Sequence, residues 1–299
     1  MVDLAIVGSV ALDSVRTPFG EVKDALGGAA TYSSYAASFF CKPGIVAVVG
    51  EDFPKKYLDT LKKRGIDISG VKIGGKTFKW EGLYEYDMNE AKTLRTELGS
   101  FASFQPVLPE SYKEAEYVFL ANIDPELQLA VLEQVKNPKL VAMDTMNFWI
   151  ENKKEELLKV LKKVDILLIN DAEARELFKT PNLVKAANSA IKLGPKAVII
   201  KKGEHGALLF MDGKHFSAPG YPLESLVDPT GAGDSFAGAL MGYIAKTRDP
   251  SEKNIRRAII YGSVVASFDA EGFSLARMTS INMGDIEKRY SEFHGICEF

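Results

Sequence analysis

Cysteine is nearly absent from this chain: Cys41 and Cys297 are the only two in 299 residues. They lie far apart, which excludes a disulfide framework and suits a reducing compartment. The three histidines, His205, His215 and His294, are scattered, so no zinc-ligand spacing is present. No apolar run approaches the roughly 18 residues of a membrane span. The strand-like Leu4 to Val7 follows Asp3 without a basic segment or a long apolar one, so no signal peptide is read. A cytoplasmic location without membrane contact is the default expectation. Positive charge is not in excess, with 37 Lys and Arg against 40 Asp and Glu. That balance speaks against nucleic acid as a partner, which usually leaves a basic footprint. Internal repeats and low-complexity linkers are also missing, so residues 1–299 are read as a single domain.

What is present is an ordinary globular composition, 46% hydrophobic and 26% charged. Short apolar runs, Ile45 to Val49, Tyr117 to Ala121, Leu140 to Asp144, Val164 to Ile169 and Ala197 to Lys201, suit strands buried on both faces. Amphipathic segments separate them: Phe53 to Lys63, Pro125 to Val135, Lys153 to Lys163 and Asn182 to Leu193. This alternation predicts an α/β fold, a doubly wound, mostly parallel sheet. The rhythm breaks over 77–97, where Phe78, Trp80, Leu83, Tyr84 and Tyr86 alternate loosely with charges. A second stretch, 10–26, carries turn signals at Pro18 and Gly20. Together they predict a small β-sheet serving as a lid; a meander at the sheet edge satisfies the same pattern. Beyond about residue 230 the pattern is helical, over Asp234 to Lys246, Glu252 to Phe268 and Met283 to Phe293.

Gly70-Val71-Lys72-Ile73-Gly74-Gly75-Lys76-Thr77 matches a phosphate-binding P-loop letter for letter. Such a loop works only where it opens a helix whose N-terminus faces the phosphates. Here an aromatic, β-rich stretch follows, so these glycines are read as a turn between strands.

The strongest chemical signal is Asp228-Pro229-Thr230-Gly231-Ala232-Gly233-Asp234-Ser235-Phe236. Gly231, Ala232 and Gly233 run directly into a helix. Small side chains let backbone N–H groups approach an anion there, where the helix dipole favours negative charge. Asp234 has the wrong charge to bind phosphate, and its placement suits a general base for an attacking alcohol. Beside a helix N-terminus it is expected to stay ionised at neutral pH. A glycine turn with Asp234 as a helix cap fits the spacing too.

This run resembles the C-terminal signature of the ribokinase-like (PfkB) carbohydrate kinases. The di-glycine Gly27-Gly28-Ala29-Ala30, the pair Asn170 and Glu173, and the turn from Lys202-Gly203 to Gly206 resemble further motifs of that family. The resemblance implies a ribokinase-like fold with acceptor under the lid and ATP along the C-terminal half. It implies Asp234 as the base, with Gly231, Ala232 and Gly233 as the anion hole. Asn170 and Glu173 would organise magnesium near the phosphates; a helix capping box is the plain alternative. Asp13 would grip acceptor hydroxyls beside Gly27 and Gly28, or serve only as a turn residue. Lys202, Gly203 and Gly206 would lie against the nucleotide, and Gly262 would flank the adenine.

Two positions depart from the family pattern. Tyr32 stands where many sugar kinases carry an asparagine facing the sugar. With the Gly-Gly-Ala-Ala start it is similar to inositol kinases of the family, which ranks a cyclitol or polyol acceptor first, a simple sugar second and a nucleoside third. A catalytically silent ligand-binding protein is the rival of another class. Asp228 occupies a position that binds a monovalent cation in several members, so potassium joins Mg2+ with ATP as an implied cofactor. The two acids Asp269 and Glu271 fall where a more neutral loop would complete that site. A homodimer formed through the lid is a further implied arrangement.

Overall fold

The computed structural model describes residues 2–298. Thirteen strands form two sheets. The large sheet contains β1 (Leu4–Val7), β4 (Pro43–Val49), β5 (Asp67–Ile73), β8 (Tyr117–Leu120), β9 (Leu140–Met143), β10 (Ile166–Asn170), β11 (Ala197–Lys201), β12 (Ala207–Met211) and β13 (Lys214–Ala218). Their order is β13-β12-β11-β10-β9-β8-β1-β4-β5. All neighbours from β11 to β5 pair in parallel, and β12 and β13 add an antiparallel edge.

The inner strands are apolar because both faces are covered, whereas the edge strands β5 and β13 carry exposed polar residues; successive side chains point to opposite faces. Ile6, Ile45, Phe119, Ala142, Leu168 and Ile199 share one core layer. Helices α1 (Ala29–Ala37), α2 (Lys55–Lys63), α9 (Ala232–Thr247), α10 (Glu252–Asp269), α11 (Ala276–Thr279) and α12 (Met283–Cys297) pack on it. Their neighbours Val7, Val46, Val118, Val141, Leu167 and Val198 face the other layer. There α3 (Glu110–Lys113), α4 (Pro125–Leu132), α5 (Asn147–Asn152), α6 (Lys154–Leu161), α7 (Asp171–Phe178) and α8 (Leu183–Ile191) supply the cover. The doubly wound expectation holds, with strand ends moved by one or two residues.

The small sheet has the order β3-β2-β6-β7, from β2 (Ala11–Thr17), β3 (Gly20–Gly27), β6 (Lys79–Leu83) and β7 (Lys92–Glu97). Both stretches that broke the helical rhythm fall in it. β6 and β7 pair antiparallel, whereas β2 and β6 run parallel. The P-loop look-alike needs one correction. Gly70 to Ile73 belong to β5, the edge strand, and only the glycines that follow turn the chain. Thr77 is buried and bonds Asp52, while Lys76 is exposed. Among the described residues no helix is long and apolar enough to cross a membrane.

Candidate active site

The residues at the carboxyl ends of the parallel strands and at the N-terminus of α9 lie close enough to shift one another's titration, Asp144 and Lys201 acting on Asp234, and Asp234 and Asp228 on Asp13. The turn entering α9 is the best-defined part of this group. Gly231 has φ 85° and ψ −7°, values of the third residue of a type II turn, which favour glycine. A Cβ there would also lie 2.4 Å from the buried Tyr32 ring. The turn closes with the Ala232 N–H donating to the Pro229 carbonyl at 3.0 Å. The N–H groups of the expected donor set differ in what they already hold. Ala232 has spent its donor, and the N–H groups of Gly231, Gly233 and Asp234 remain without a protein acceptor among the described residues.

Asp234 follows in the first turn of α9, partly exposed. Burial by surrounding protein and the charge of Asp144 push its carboxyl up to about 7, with Lys201 pulling it back. The helix position, which favours the ionised form, is thus opposed by burial and by Asp144, neither of which is visible in the local sequence.

Asp13 is buried on β2, and its Oδ2 accepts the Gly28 N–H at 3.3 Å. Burial, offset in part by that bond and reinforced by Asp228 and Asp234, raises it to about 7. A Cβ at Gly27 would fall 1.9 Å from Asp13 Oδ2, so glycine here leaves room for the Asp13 carboxyl in this position. Tyr32 lies between these groups: burial, then Asp13, Asp269, Asp228 and Asp234, hold its hydroxyl well above the usual range. From the small sheet, Tyr84 is buried, and its hydroxyl accepts from Thr230 Oγ1 at 3.4 Å. Tyr84 packs with Val15, Met88 and Trp80 into an apolar cluster reaching Phe273.

On the nucleotide-like side, Asn170 and Glu173 form the capping box of α7. Asn170 Oδ1 accepts the Glu173 N–H at 2.7 Å, and Glu173 Oε2 accepts the Asn170 N–H at 2.8 Å. Glu173 is nonetheless pushed up to about 7 by burial and by Asp144, with Lys201 opposing. Gly203 and Gly206 bound a single tight turn, and Asn89 of the β6–β7 loop lies directly against Gly203. Lys202 contributes a backbone bond to Gly206 at 2.7 Å, and its side chain is half-exposed. The buried lysine is its neighbour Lys201, whose Nζ donates to Asp144 Oδ2 at 2.5 Å. Gly262 sits on α10 against Phe236 of α9, so helix packing accounts for it. Asp144 and Lys201 were missed as site residues; both end apolar strands, the position at which open α/β sheets bind ligands.

The two acids of the 266–272 segment have different fates. Glu271 is taken up by Arg277 at 2.8 Å and Arg289 at 2.7 Å. Asp269 is buried, and its oxygens, Asp228 Oδ2 and Ser235 Oγ make no hydrogen bond of good geometry, although Ser235 stands close enough to Asp269 to offset a little of the rise that burial and Asp228 impose on its carboxyl.

The profile of the pfkB family carbohydrate kinases matches residues 3–279. The chain belongs to this family. A cytidine kinase of Thermococcus kodakarensis is 34% identical over 263 residues, spanning 86% of this chain and 93% of the relative. A nucleoside kinase of Thermoplasma acidophilum is 27% identical, over 96% of this chain and 89% of that one. The crystal structure of Methanocaldococcus jannaschii nucleoside kinase, an archaeal member of the ribokinase family, superposes with a TM-score of 0.78 at 22% identity. It covers 97% of this chain and 98% of its own. As a PfkB kinase, the protein is a phosphotransferase with a hydroxyl acceptor, built on the ribokinase-like fold.

Proposed function

We propose that the protein is a nucleoside kinase that transfers the terminal phosphoryl group of ATP to a ribose hydroxyl, with cytidine the leading acceptor. The observation that carries this reading is the similarity to a cytidine kinase across 93% of that relative's length. It moves a nucleoside ahead of the cyclitol expected from Gly27, Gly28 and Tyr32. The geometry is compatible: a buried Asp13 can accept from two neighbouring hydroxyls, and the apolar cluster of Tyr84, Met88 and Trp80 offers a base a dry surface.

In this reading the acceptor hydroxyl lies between Asp13 and Asp234, and Asp234 takes its proton as the bond to phosphorus forms. The free N–H groups of Gly231, Gly233 and Asp234 stabilise charge developing on the phosphoryl oxygens. The small sheet acts as the lid, since Tyr84 and Asn89 already reach Thr230 and Gly203. Glu173 and Asn170 spend one oxygen each on the capping box, which suits holding magnesium through water. The metal neutralises phosphate charge when it arrives with ATP.

A monovalent cation fits behind the anion hole, where Asp228, Asp269 and Ser235 leave buried oxygens unpartnered. Thermal midpoints in potassium and in tetramethylammonium at equal ionic strength test this. Potassium is expected to stabilise the wild type and not Asp269→Asn; equal midpoints for the wild type would remove the site.

The acceptor is tested with ATP and magnesium across cytidine, uridine, adenosine, inosine, ribose and myo-inositol. The highest kcat/KM is expected for a pyrimidine nucleoside. A preference for ribose or myo-inositol by tenfold or more would overturn the assignment.

A further inference from the structure

Lys201 is the residue that family motifs did not single out and the geometry does. It ends β11, in register beside Asn170 at the end of β10. Its ammonium is largely enclosed, with its side chain 17% exposed, and it pairs with an Asp144 side chain that is 4% exposed. Taking such a pair out of water costs several kcal/mol per ion, so a buried pair is weak support for a merely stabilising role. The charge is firmly present. Burial would lower the Lys201 pKa, but Asp144 and Glu173 more than offset it and raise it above the ordinary lysine value.

An ammonium carries three donors. Lys201 spends one on Asp144 Oδ2, and no other acceptor holds it among the described residues. Its Nζ stands 3.4 Å from where a Cβ on Gly233 would be. It therefore lies against the turn whose Gly231, Gly233 and Asp234 N–H groups lack acceptors. Unspent donors from a side chain and from the backbone meet at one place, and a tetrahedral anion can take both sets. Asp144, Glu173 and Asp234 surround the lysine, which is the positive charge set among these acids.

We infer that Lys201 is a catalytic residue that contacts the phosphoryl group in transfer, and that Asp144 is the positioning residue that aims it. The inference rests on the kinase reading above, deepening its phosphate side. Lys201 would add a mobile positive charge to the fixed dipoles of the turn, acting on oxygens that gain charge during transfer. Asp144 would hold the long side chain in one rotamer and leave two donors free.

The test uses the full-length protein with Lys201→Met, Lys201→Arg and Asp144→Asn. Because Lys201→Met leaves Asp144 unpaired in the interior, Lys201→Met combined with Asp144→Asn serves as a second variant. Calorimetry with ATP and ADP, each with magnesium, is read separately from turnover of the best wild-type acceptor. Loss of Lys201 is expected to weaken ATP at least tenfold while ADP stays within threefold. kcat should fall by at least about 10²-fold, as for removal of one preorganised donor. Lys201→Arg should recover part of kcat, and Asp144→Asn should lower kcat with little change in the acceptor KM. A folded Lys201 variant with kcat within threefold of wild type, or an equal loss for ATP and ADP, would overturn the inference. Wild-type protein that binds ATP but phosphorylates none of the acceptors would instead count against the nucleoside reading, leaving the difference between ATP and ADP to judge Lys201.

Discussion

Gly231→Ala probes the anion-hole turn at its most constrained atom. The left-handed backbone at Gly231 costs an alanine about 1–2 kcal/mol. The added Cβ would sit 2.4 Å from the Tyr32 ring, about 1 Å inside ordinary contact. Tyr32 is 2% exposed and enclosed by the core, so it has little room to retreat. Overpacking of this kind adds about 1–3 kcal/mol. The sum is roughly 2–5 kcal/mol, or a fall in Tm of about 3–8 °C for a chain of this size. If the turn swings outward instead, the N–H groups of Gly231 and Gly233 lose their aim, and kcat falls by about 10²-fold with Tm nearly kept. The two responses are separated by differential scanning fluorimetry and steady-state kinetics on one preparation. Gly233→Ala is the control: its Cβ would meet only Lys201 Nζ, at 3.4 Å, and its backbone has no positive φ. A double-mutant cycle with Tyr32→Val isolates the clash, since the backbone cost alone should survive once the ring is gone. Gly231→Ala with wild-type Tm and kcat would refute both the turn geometry and the site built on it.

Three other outcomes follow from the same structure. Asp234→Asn should lower kcat by at least ~10²-fold while both substrates still bind; retention of more than about a tenth of kcat would remove it from the role of base. Lys76→Ala should leave ATP binding and activity unchanged, because Lys76 is exposed after the edge strand and Thr77 is tied to Asp52; loss of ATP binding by a folded variant would revive the P-loop reading. Burial pushes Asp13, Glu173 and Asp234 up to about 7 from ordinary values of 3.8, 4.5 and 3.8. Over that window the folded chain binds more protons than the unfolded one, so their contribution is full below about pH 4 and lost as pH rises through 7. The Tm of the ligand-free protein should therefore fall between pH 5.5 and 8, less steeply in Asp13→Asn; a rise across this window would contradict the burial of these groups.

How far the site could be read in advance depended on how locally its parts are encoded. The anion-hole turn is written in consecutive residues, because a type II turn and a helix start are short-range structures with their own residue demands. Asn170 and Glu173 are likewise a three-residue capping relation, visible whatever else they do. The doubly wound sheet was legible for a related reason: strands buried on both faces must be apolar at every position. The small sheet was legible as a break in that pattern, but its parallel β2–β6 pairing joins segments more than sixty residues apart and leaves no local mark. Lys201 and Asp144 belong to the same class of long-range facts. Each reads as the polar residue that ends an apolar strand, and only the strand order β11-β10-β9 brings their ends within reach across β10. The raised carboxyl of Asp234 has the same origin, since burial by the packed fold and Asp144, 90 residues away, push it up, and neither is adjacent in sequence. The shifted titrations that suit these acids to work on a hydroxyl near neutral pH are thus products of the tertiary fold. The glycine turn that opens α9 is a product of the local chain.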